Sequence, residues 1–391
     1  MRLLHTGDWH LGKRLYGSDR LAEAEAALAQ IGDLAEAEKV DAVLVSGDLL
    51  DRRLVDSAAL GACLRAMERL ATVAPVLAIA GNHDDPDLWT HLAPYLRERG
   101  IHVAGRVRPA EQAVITVPTA AGPLHAALLP WPEPGRMAID AGASAQTARL
   151  RYADLVAALI GRYAAEAVAR RKRDGGAAVL VGHLMVERAK PGGGEREMTL
   201  GITYAVSAAS LPADLDYVAL GHVHRPQSIP GLAAPGRYAG SPMALDFSED
   251  NHTKSAVVVE IDGDHTATRQ VPVTAAAPLV RLRGTIDEMG PLASGYPDAW
   301  FACEVVLDAP EMDLVERVRA AVPRALRVEP HYAQPLELPP GEAGEAGDGA
   351  PVLGDLYAEW YRLNERRLSD AQSQAFAAAL AEAQAEPDPD D

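Results

Sequence analysis

The chain has 391 residues, too many for one ordinary domain, and a formal net charge of -18, which excludes a protein that coats nucleic acid through a globally positive surface. Any contact with DNA must therefore be local. No apolar run approaches the length of about 18 residues that a membrane span requires, and the first residues lack a secretory signal pattern, so we expect a cytoplasmic protein. Cys63 and Cys303 are the only cysteines, which excludes a disulfide framework and a thiolate zinc site.

Short apolar runs alternate with helical segments from Arg2 to about Ile261. Each run stops at Gly, Asp, Asn or Pro, which predicts strands that end in turns. The predicted strands are Leu3-Leu4, Ala42 to Val45, Val76 to Ile79, Ala126 to Leu129, Ala177 to Val181 and Tyr217 to Leu220. The predicted helices are Leu21 to Ala37, Ser57 to Ala71, Asp87 to Arg99 and Ala145 to Arg173. This alternation predicts an α/β fold with helices outside the sheets.

A closing β-hairpin and a smaller unit are predicted next. Lys254 to Ile261 and Ala267 to Val273 predict the hairpin, with its turn at 262–264. The unit that follows has the order strand, helix, strand, helix, strand, and we assign it residues 276–337, which leaves 1–275 for the large domain.

The C-terminal segment predicts a tethered pair of helices. Residues 338–351 are rich in Gly, Pro and acidic side chains, which predicts a flexible linker. Residues 352–385 predict two helices, the second beginning at a capping box of Ser369 and Gln372, and 386–391 predict a disordered tail. An apolar stripe beyond a flexible linker favours docking on a partner chain, although folding back onto the body stays open.

Metal-binding side chains follow the predicted strands in five clusters, at the strand ends where a cleft opens. They are Asp8, His10, Asp48, Asn82, His183, His222 and His224. Asp8 and His10, and likewise His222 and His224, are two residues apart, so at a strand end each pair would share a face. Each cluster alone is weak, since strand-end turns and structural histidines are common. All five together predict a site for two metal ions bridged by Asp48.

The donor set predicts both the type of ion and the type of substrate. Nitrogen and oxygen donors without thiolate suit Mn²⁺, Fe²⁺ or Zn²⁺ better than Mg²⁺ alone. Two divalent ions against two carboxylates leave the pocket locally positive, which suits a phosphodiester. We predict that His83 lies off the metals and protonates the departing oxygen, with Asp51 fixing its tautomer.

Basic residues near the clusters are candidates for phosphate contacts. Lys13 and Arg14, and Arg52 and Arg53, directly follow ligand clusters. The run 170–173 ends a predicted helix, where cations favour the negative end of the helix dipole, so a structural role is favoured there.

At these residues the sequence resembles the calcineurin-like metallophosphoesterase superfamily and, within it, the SbcD family of double-strand-break repair nucleases. The resemblance extends over the five clusters, the stretch Tyr238-Ala239-Gly240-Ser241-Pro242, the small unit and the helix pair. It implies a four-layer α-β-β-α sandwich of two mixed sheets in 1–275, and a capping domain that binds DNA in 276–337. It further implies one ion on Asp8, His10, Asp48 and His224, the other on Asp48, Asn82, His183 and His222, and a catalytic His83.

The resemblance also implies a specific activity and specific partners. Such proteins are Mn²⁺-dependent nucleases, with 3′ to 5′ exonuclease activity on double-stranded DNA and endonuclease activity on single strands and hairpins. They act in DNA end processing, repair and recombination. The implied partner is an SbcC-like ATPase of the SMC type that binds residues 352–385, within a 2:2 heterotetramer containing a homodimer of the nuclease. The segments Ser57 to Ala71 and Asp87 to Arg99 would form the dimer interface, or else cover the sheet.

Two alternatives remain open from the sequence. A small-molecule or nucleotide phosphoesterase of the same superfamily would use the same metal site without needing the helix pair. A DNA-end-binding scaffold with a degenerate site is disfavoured because all seven ligands and His83 are present.

Overall fold

The structure is a computed structural model that describes residues 1–54, 56–140, 151–192, 205–249, 253–309 and 311–332, with 369, 372–374, 376 and 377 near the C-terminus. The chain divides into two compact units, Met1–Ala333 and Gln334–Asp391. In the part of the chain that is described, no helix combines the length and apolar character needed to cross a lipid bilayer.

Each predicted strand is present, and further strands that were not predicted lie between them. They are β1 (Arg2–Thr6), β2 (Arg14–Leu15), β3 (Ser18–Asp19), β4 (Ala42–Val45), β5 (Val76–Ile79), β6 (Ile101–Ala104), β7 (Val114–Thr119), β8 (Gly122–Leu129), β9 (Ala177–His183), β10 (Met185–Val186), β11 (Ala205–Val206), β12 (Tyr217–Gly221), β13 (Gln227–Ser228), β14 (Gly236–Tyr238), β15 (Ser255–Asp262), β16 (His265–Pro272), β17 (Leu279–Gly284), β18 (Trp300–Leu307) and β19 (Ala325–Tyr332). The α-helices are α1 (Leu21–Glu38), α2 (Ser57–Ala71), α3 (Pro86–Arg97), α4 (Ala110–Ala113), α5 (Pro134–Asp140), α6 (Tyr152–Asp174), α7 (Ile286–Ser294) and α8 (Leu314–Ala321).

Two six-stranded mixed sheets form the body. The first has the order β16-β15-β1-β4-β5-β6, and the second has the order β13-β14-β12-β9-β8-β7. In the first sheet β1, β4, β5 and β6 are parallel, whereas the predicted hairpin β15-β16 is antiparallel and joins the sheet beside β1. In the second sheet β8, β9, β12 and β14 are parallel.

Alternation along β4 shows how the first sheet is covered on both faces. Val43 and Val45 belong to the core that includes residues of α1, α2 and α3. Ala42 and Leu44 point to the opposite face and belong to a core shared with the second sheet. Because successive strand residues face opposite sides, a continuous apolar run fits a strand buried on both faces.

The second sheet repeats this arrangement on its outer side. Leu180 of β9 packs with Ile160 and Tyr163 of α6, whereas Val179 and Val181 face the core between the sheets. The layers are therefore helix, sheet, sheet and helix. The predicted four-layer α-β-β-α architecture is confirmed.

The small unit has the predicted order of elements. Strands β17, β18 and β19 form a parallel three-stranded sheet, and α7 and α8 supply the crossovers. Phe301, Val305 and Val318 lie in its own apolar core. Trp300 Nε1 donates a hydrogen bond to Glu23 Oε1 of the body over 2.6 Å, so the small unit is anchored to α1.

Some predicted segments lie partly or wholly outside the described residues. Helix α6 begins at Tyr152, and most of the predicted start from Ala145 lies outside the described residues. The linker at 338–351, the tail at 386–391 and most of the helix pair at 352–385 also lie outside them. The capping box is present: Ser369 N donates to Gln372 Oε1 over 3.1 Å, and Gln372 N donates to Ser369 Oγ over 3.4 Å.

Candidate metal centre

The predicted ligands meet where the parallel strands of the two sheets end. Asp8, Asp48 and Asn82 follow β1, β4 and β5 of the first sheet, whereas His183 ends β9 and His222 follows β12 of the second. All seven predicted ligands are buried. The carboxyl ends of parallel strands lie at one edge of a sheet, so two such edges facing each other enclose a common site.

The backbone at four of the seven ligands is left-handed and not extended, which corrects one step of the sequence-based prediction. Asp8 (φ 50°), His10 (φ 45°), Asp48 (φ 47°) and His222 (φ 94°) adopt left-handed conformations beyond the strands. The two-residue period of a strand therefore does not apply to them. A Cβ at Gly81 would lie 2.1 Å from Asp48 Oδ1, so only glycine lets the loop after β5 approach this carboxylate.

One group of donors surrounds His10. Ligand atoms of Asp8, His10, Asp48 and His224 lie within 4.8 Å of one another. The Nε2 atoms of His10 and His224 are 3.1 Å apart, and His10 Nε2 is 3.5 Å from Asp48 Oδ2. Two ring nitrogens directed at each other at this distance are typical of ligands that share an ion.

A second group of donors surrounds Asn82. Its Oδ1 lies 2.9 Å from His183 Nε2 and 3.0 Å from His222 Nδ1. His183 Nε2 is also 3.4 Å from Asp48 Oδ2, the same oxygen that approaches His10. Asp48 Oδ2 therefore lies between the two donor groups, as a bridging ligand requires. His222 and His224 diverge, one to each group.

The structure itself gives a reason, independent of the sequence pattern, to expect metal ions at these residues. Asp8 Oδ2 is buried and has no hydrogen-bond partner among the described residues, which is unfavourable for a carboxylate unless a cation binds it. Donors at about 2.1 Å from an ion are separated by roughly 3.0–3.4 Å at tetrahedral or octahedral angles, which matches the distances above. The buried Asp and His cluster therefore fits a dimetal site.

Two of the metal-facing imidazoles have a second hydrogen-bond partner that orients the ring, whereas His10 Nδ1 only approaches Asp51 Oδ1, at 3.5 Å, without a hydrogen bond. His183 Nδ1 is 2.8 Å from Ser46 O. His224 Nδ1 is 3.2 Å from Glu249 Oε1. Such outer partners fix the tautomer of a ligating histidine and raise its basicity.

The Glu249 partner is part of a buried ionic network that the sequence did not predict. Glu249 Oε2 contacts Lys254 Nζ at 2.5 Å and accepts from Leu245 N at 3.1 Å. Lys254 Nζ also donates to Ser241 Oγ over 2.9 Å and to His224 O over 3.2 Å. The side chain of Glu249 is 0% exposed and that of Lys254 is 7% exposed. No spacing in the sequence signals this pair, because it is the fold that brings the two charged side chains together beside His224.

His83 lies beside the first donor group without belonging to it. Its ring is edge-on to that of His10, with centroids 4.6 Å apart. His83 Nδ1 is 2.8 Å from the main-chain oxygen of Asp51 and 4.0 Å from its carboxylate. Asp51 therefore fixes the His83 tautomer through its backbone. The carboxylate instead lies 3.5 Å from both His10 Nδ1 and Lys13 Nζ.

Burial and charge set the protonation of the donors. Burial raises the pKa of Asp8 to about 6 and lowers that of His10 to about 4, so His10 keeps a free lone pair near pH 7. Burial opposes charge at both Asp48 and His183, but their mutual attraction holds the Asp48 pKa well below its usual value and raises that of His183 to about 9. A metal ion binding there would displace the His183 proton.

The predicted DNA-contacting residues differ in their surroundings. Lys13 and Arg52 both approach Asp51, the latter at 3.4 Å, whereas Arg53 pairs with Glu133 at 3.2 Å. Arg14 binds the main-chain oxygen of Gly17. In the run 170–173, the three arginines pair with Glu166, Asp216 and Asp174, in line with the structural role favoured from the sequence.

The calcineurin-like phosphoesterase family matches residues 1–226 of this chain. The chain is also 34% identical over 346 residues to the SbcD component of the nuclease SbcCD from Bacillus subtilis, spanning 85% of this chain and 86% of that protein. The chain belongs to the SbcD family of calcineurin-like phosphoesterases. The SbcD protein of Rhodobacter capsulatus is 35% identical over 307 residues, covering 72% of this chain and 71% of that protein. The SbcD protein of Escherichia coli K12 is 28% identical over 331 residues, covering 82% of each.

Family and site lead to the same class of chemistry. Members of this family are named as nucleases, and the buried cluster of carboxylates and imidazoles fits a dimetal centre. The protein is therefore a metal-dependent phosphodiesterase and a nuclease subunit.

Proposed function

We propose that this chain is an Mn²⁺-dependent DNA nuclease with 3′ to 5′ exonuclease activity on double-stranded DNA and endonuclease activity on single strands and hairpins. It would act in DNA end processing, repair and recombination. The observation that carries the proposal is Asp48 Oδ2 between two donor groups, with His83 beside them, in a chain of the SbcD family.

The ligand assignment follows the two donor groups. One ion would be held by Asp8, His10, Asp48 and His224, and the other by Asp48, Asn82, His183 and His222. When bound, two such ions neutralise phosphate charge and lower the pKa of water to give a nucleophile. The Asn82 amide adds no charge, which leaves the centre more positive towards a phosphodiester.

His83 would supply the proton for the departing oxygen. Its Nδ1–H is directed at the Asp51 carbonyl, so the ring in its doubly protonated form would give its Nε2 proton to the departing oxygen and become the neutral Nδ1–H form. The Asp51 carboxylate would orient His10 and hold Lys13 at the site entrance. Lys13, Arg14, Arg52, Arg53 and the small unit at 276–337 are the proposed DNA contacts.

The proposed partner is an SbcC-like ATPase of the SMC type that binds the helix pair at 352–385. The similar proteins are named as components of an SbcCD nuclease, and the capping box at Ser369 supports a helix start in this segment. We propose a homodimer of this chain within a 2:2 heterotetramer. In α2 and α3 the main apolar faces cover the first sheet, but Tyr95 of α3 is 68% exposed and is available for a two-fold contact.

The test is cleavage of end-labelled duplex DNA with Mn²⁺, with and without the candidate ATPase. Wild type and an Asp33→Ala control, which changes an exposed carboxylate of α1, should cleave; Asp48→Ala should lose both metals and all hydrolysis. Cleavage by Asp48→Ala at the wild-type rate would refute the proposed centre. Turnover of a model monoester with no cleavage of duplex DNA, even with the ATPase, would favour a small-molecule phosphoesterase.

A further inference from the structure

A cavity of about 750 Å³ lies next to the metal centre and has no role in the chemistry described above. Gly81 and Asp84, from the loop that carries Asn82 and His83, form part of its wall. Its volume is in the range of about 300–1,000 Å³ that is usual for sites that bind small organic ligands.

Trp131 joins the cavity to the centre. Its ring stacks on the His222 ring with centroids 5.3 Å apart and an interplanar angle of 26°, and it also lines the cavity. A group in the cavity would therefore lie one aromatic ring away from a proposed metal ligand. That spacing suits a neighbouring part of the same substrate.

The walls of the cavity away from the centre are largely apolar. Val107 follows β6, Met137 lies in α5, and Leu155 and Leu159 lie in α6. Val107 and Met137 are partly buried against the outer core of the second sheet. Apolar and aromatic walls favour a flat, weakly polar group such as a nucleobase, because stacking needs no specific hydrogen bonds.

Arginines give the cavity a charge opposite to that of the whole chain. Arg53, Arg106, Arg108, Arg136 and Arg162 line it, against Asp84, Glu111 and Glu133, whereas the chain carries a net charge of -18. Arg106 is paired with Asp87 and Arg53 with Glu133. Within the described residues, no carboxylate forms an ion pair with Arg108 or Arg162. These two guanidinium groups are available for an anion.

We propose that this cavity binds the unpaired terminal nucleotide of a DNA strand whose adjoining phosphodiester is hydrolysed at the metal centre. The base would stack among Trp131, Met137 and Leu159, and the anionic part of the nucleotide would contact Arg108 and Arg162. The inference rests on the proposed nuclease function and adds a subsite that selects a nucleotide over a bare phosphate.

The test compares binding of 2′-deoxyadenosine 5′-monophosphate with binding of inorganic phosphate by calorimetry, using the full chain loaded with Mn²⁺. Phosphate probes the metal centre alone, whereas the nucleotide also reaches the cavity. The wild type should bind the nucleotide at least about tenfold more tightly, which corresponds to about 1.4 kcal/mol.

Two variants perturb the cavity in different ways. Ala158→Phe places a large side chain at an exposed wall position of α6, and Arg108→Ala/Arg162→Ala removes both available cations. Each should reduce the preference for the nucleotide about tenfold while the dissociation constant of phosphate changes less than about threefold. Arg269→Ala, which changes an exposed arginine of β16 paired with Glu38, is the matched control and should keep the preference.

Equal binding of nucleotide and phosphate by the wild type, or a preference retained in both variants, overturns the inference. The outcome is separable from that of the cleavage assay. A wild type that cleaves DNA but shows no preference refutes the cavity alone. If the wild type prefers the nucleotide but cleaves no DNA, the cavity is a nucleotide site, but the nucleotide is not the end of a DNA strand and the proposed nuclease function is refuted.

Discussion

The Lys254→Met substitution removes a buried ammonium group while keeping most of the side-chain volume. It leaves the carboxylate of Glu249 fully buried, with Leu245 N and His224 Nδ1 as its closest remaining partners. Removing one partner of a buried ion pair typically costs about 3–5 kcal/mol, because the other charge stays desolvated. We expect the free energy of unfolding of Lys254→Met to fall by about that amount, measured by urea denaturation.

The companion substitution Glu249→Gln separates stability from metal binding. It removes the charge that orients His224 and raises the basicity of its ring, and losing such a partner typically weakens metal affinity by about 10- to 100-fold. Isothermal titration of Mn²⁺ into the metal-free chain measures this. In Glu249→Gln/Lys254→Met both charges are gone, so stability should recover relative to Lys254→Met whereas metal affinity should stay low.

Recovery of stability without recovery of metal affinity in the double variant would show that Glu249 positions His224 and does not only neutralise Lys254. If Glu249 served only to neutralise Lys254, Glu249→Gln would be destabilised but would bind Mn²⁺ as tightly as wild type. A titration within about threefold of wild type would refute the orientation of His224 by Glu249.

Three further substitutions probe the reaction, the pH response and the core. His83→Asn should bind Mn²⁺ normally in a titration but cleave DNA about 10²–10⁴-fold more slowly; wild-type rates would exclude His83 as the proton donor. Burial lowers the pKa of His5 from 6.5 to about 3, so the unfolded chain takes up a proton below pH 6.5 while the folded ring stays neutral. Stability should therefore fall by roughly 4–5 kcal/mol as pH drops from 6.5 to 3, and urea denaturation of His5→Gln across this range should show a shallower loss. Met67→Ala, in the core between α2 and the first sheet, should lower the free energy of unfolding by about 2–5 kcal/mol in the same assay, and a loss below about 1 kcal/mol would indicate a poorly packed core there.

The strand positions were predictable because the central strands are buried on both faces. β4 and β5 have the predicted bounds, since four-residue apolar runs between Gly, Asp and Pro admit little else. β7 was missed, because its sequence VITVPT contains a proline and only part of it is buried. The antiparallel pairing of β7 with β8 depends on the tertiary fold, which no local pattern reports.

The donor set was predictable from residue type and order, whereas its local geometry was not. Asp8 and His10 do lie in one donor group, as predicted. The two-residue period of a strand is not the cause, since both residues are in left-handed loop conformations. Glu249 and Lys254 left no signal because two charged residues in a polar stretch of sequence resemble solvent-exposed sequence. Trp131, which stacks on His222, was also missed, because the β8–α5 loop that carries it contains no ligand.

The left-handed backbone at the ligand positions is strained and must be held in place by the rest of the fold. Such conformations cost on the order of 1–3 kcal/mol each for residues other than glycine, so the surrounding structure must hold them. Asp8 N donates to Gly47 O over 2.8 Å and His10 N to Asp48 O over 3.0 Å, which extends the pairing of β1 with β4 into the loops. The core on both sides of these strands therefore stabilises the strained backbone. Because the ligand loops are held by the sandwich itself, metal affinity should depend on the donors and their outer partners more than on ordering of the loops.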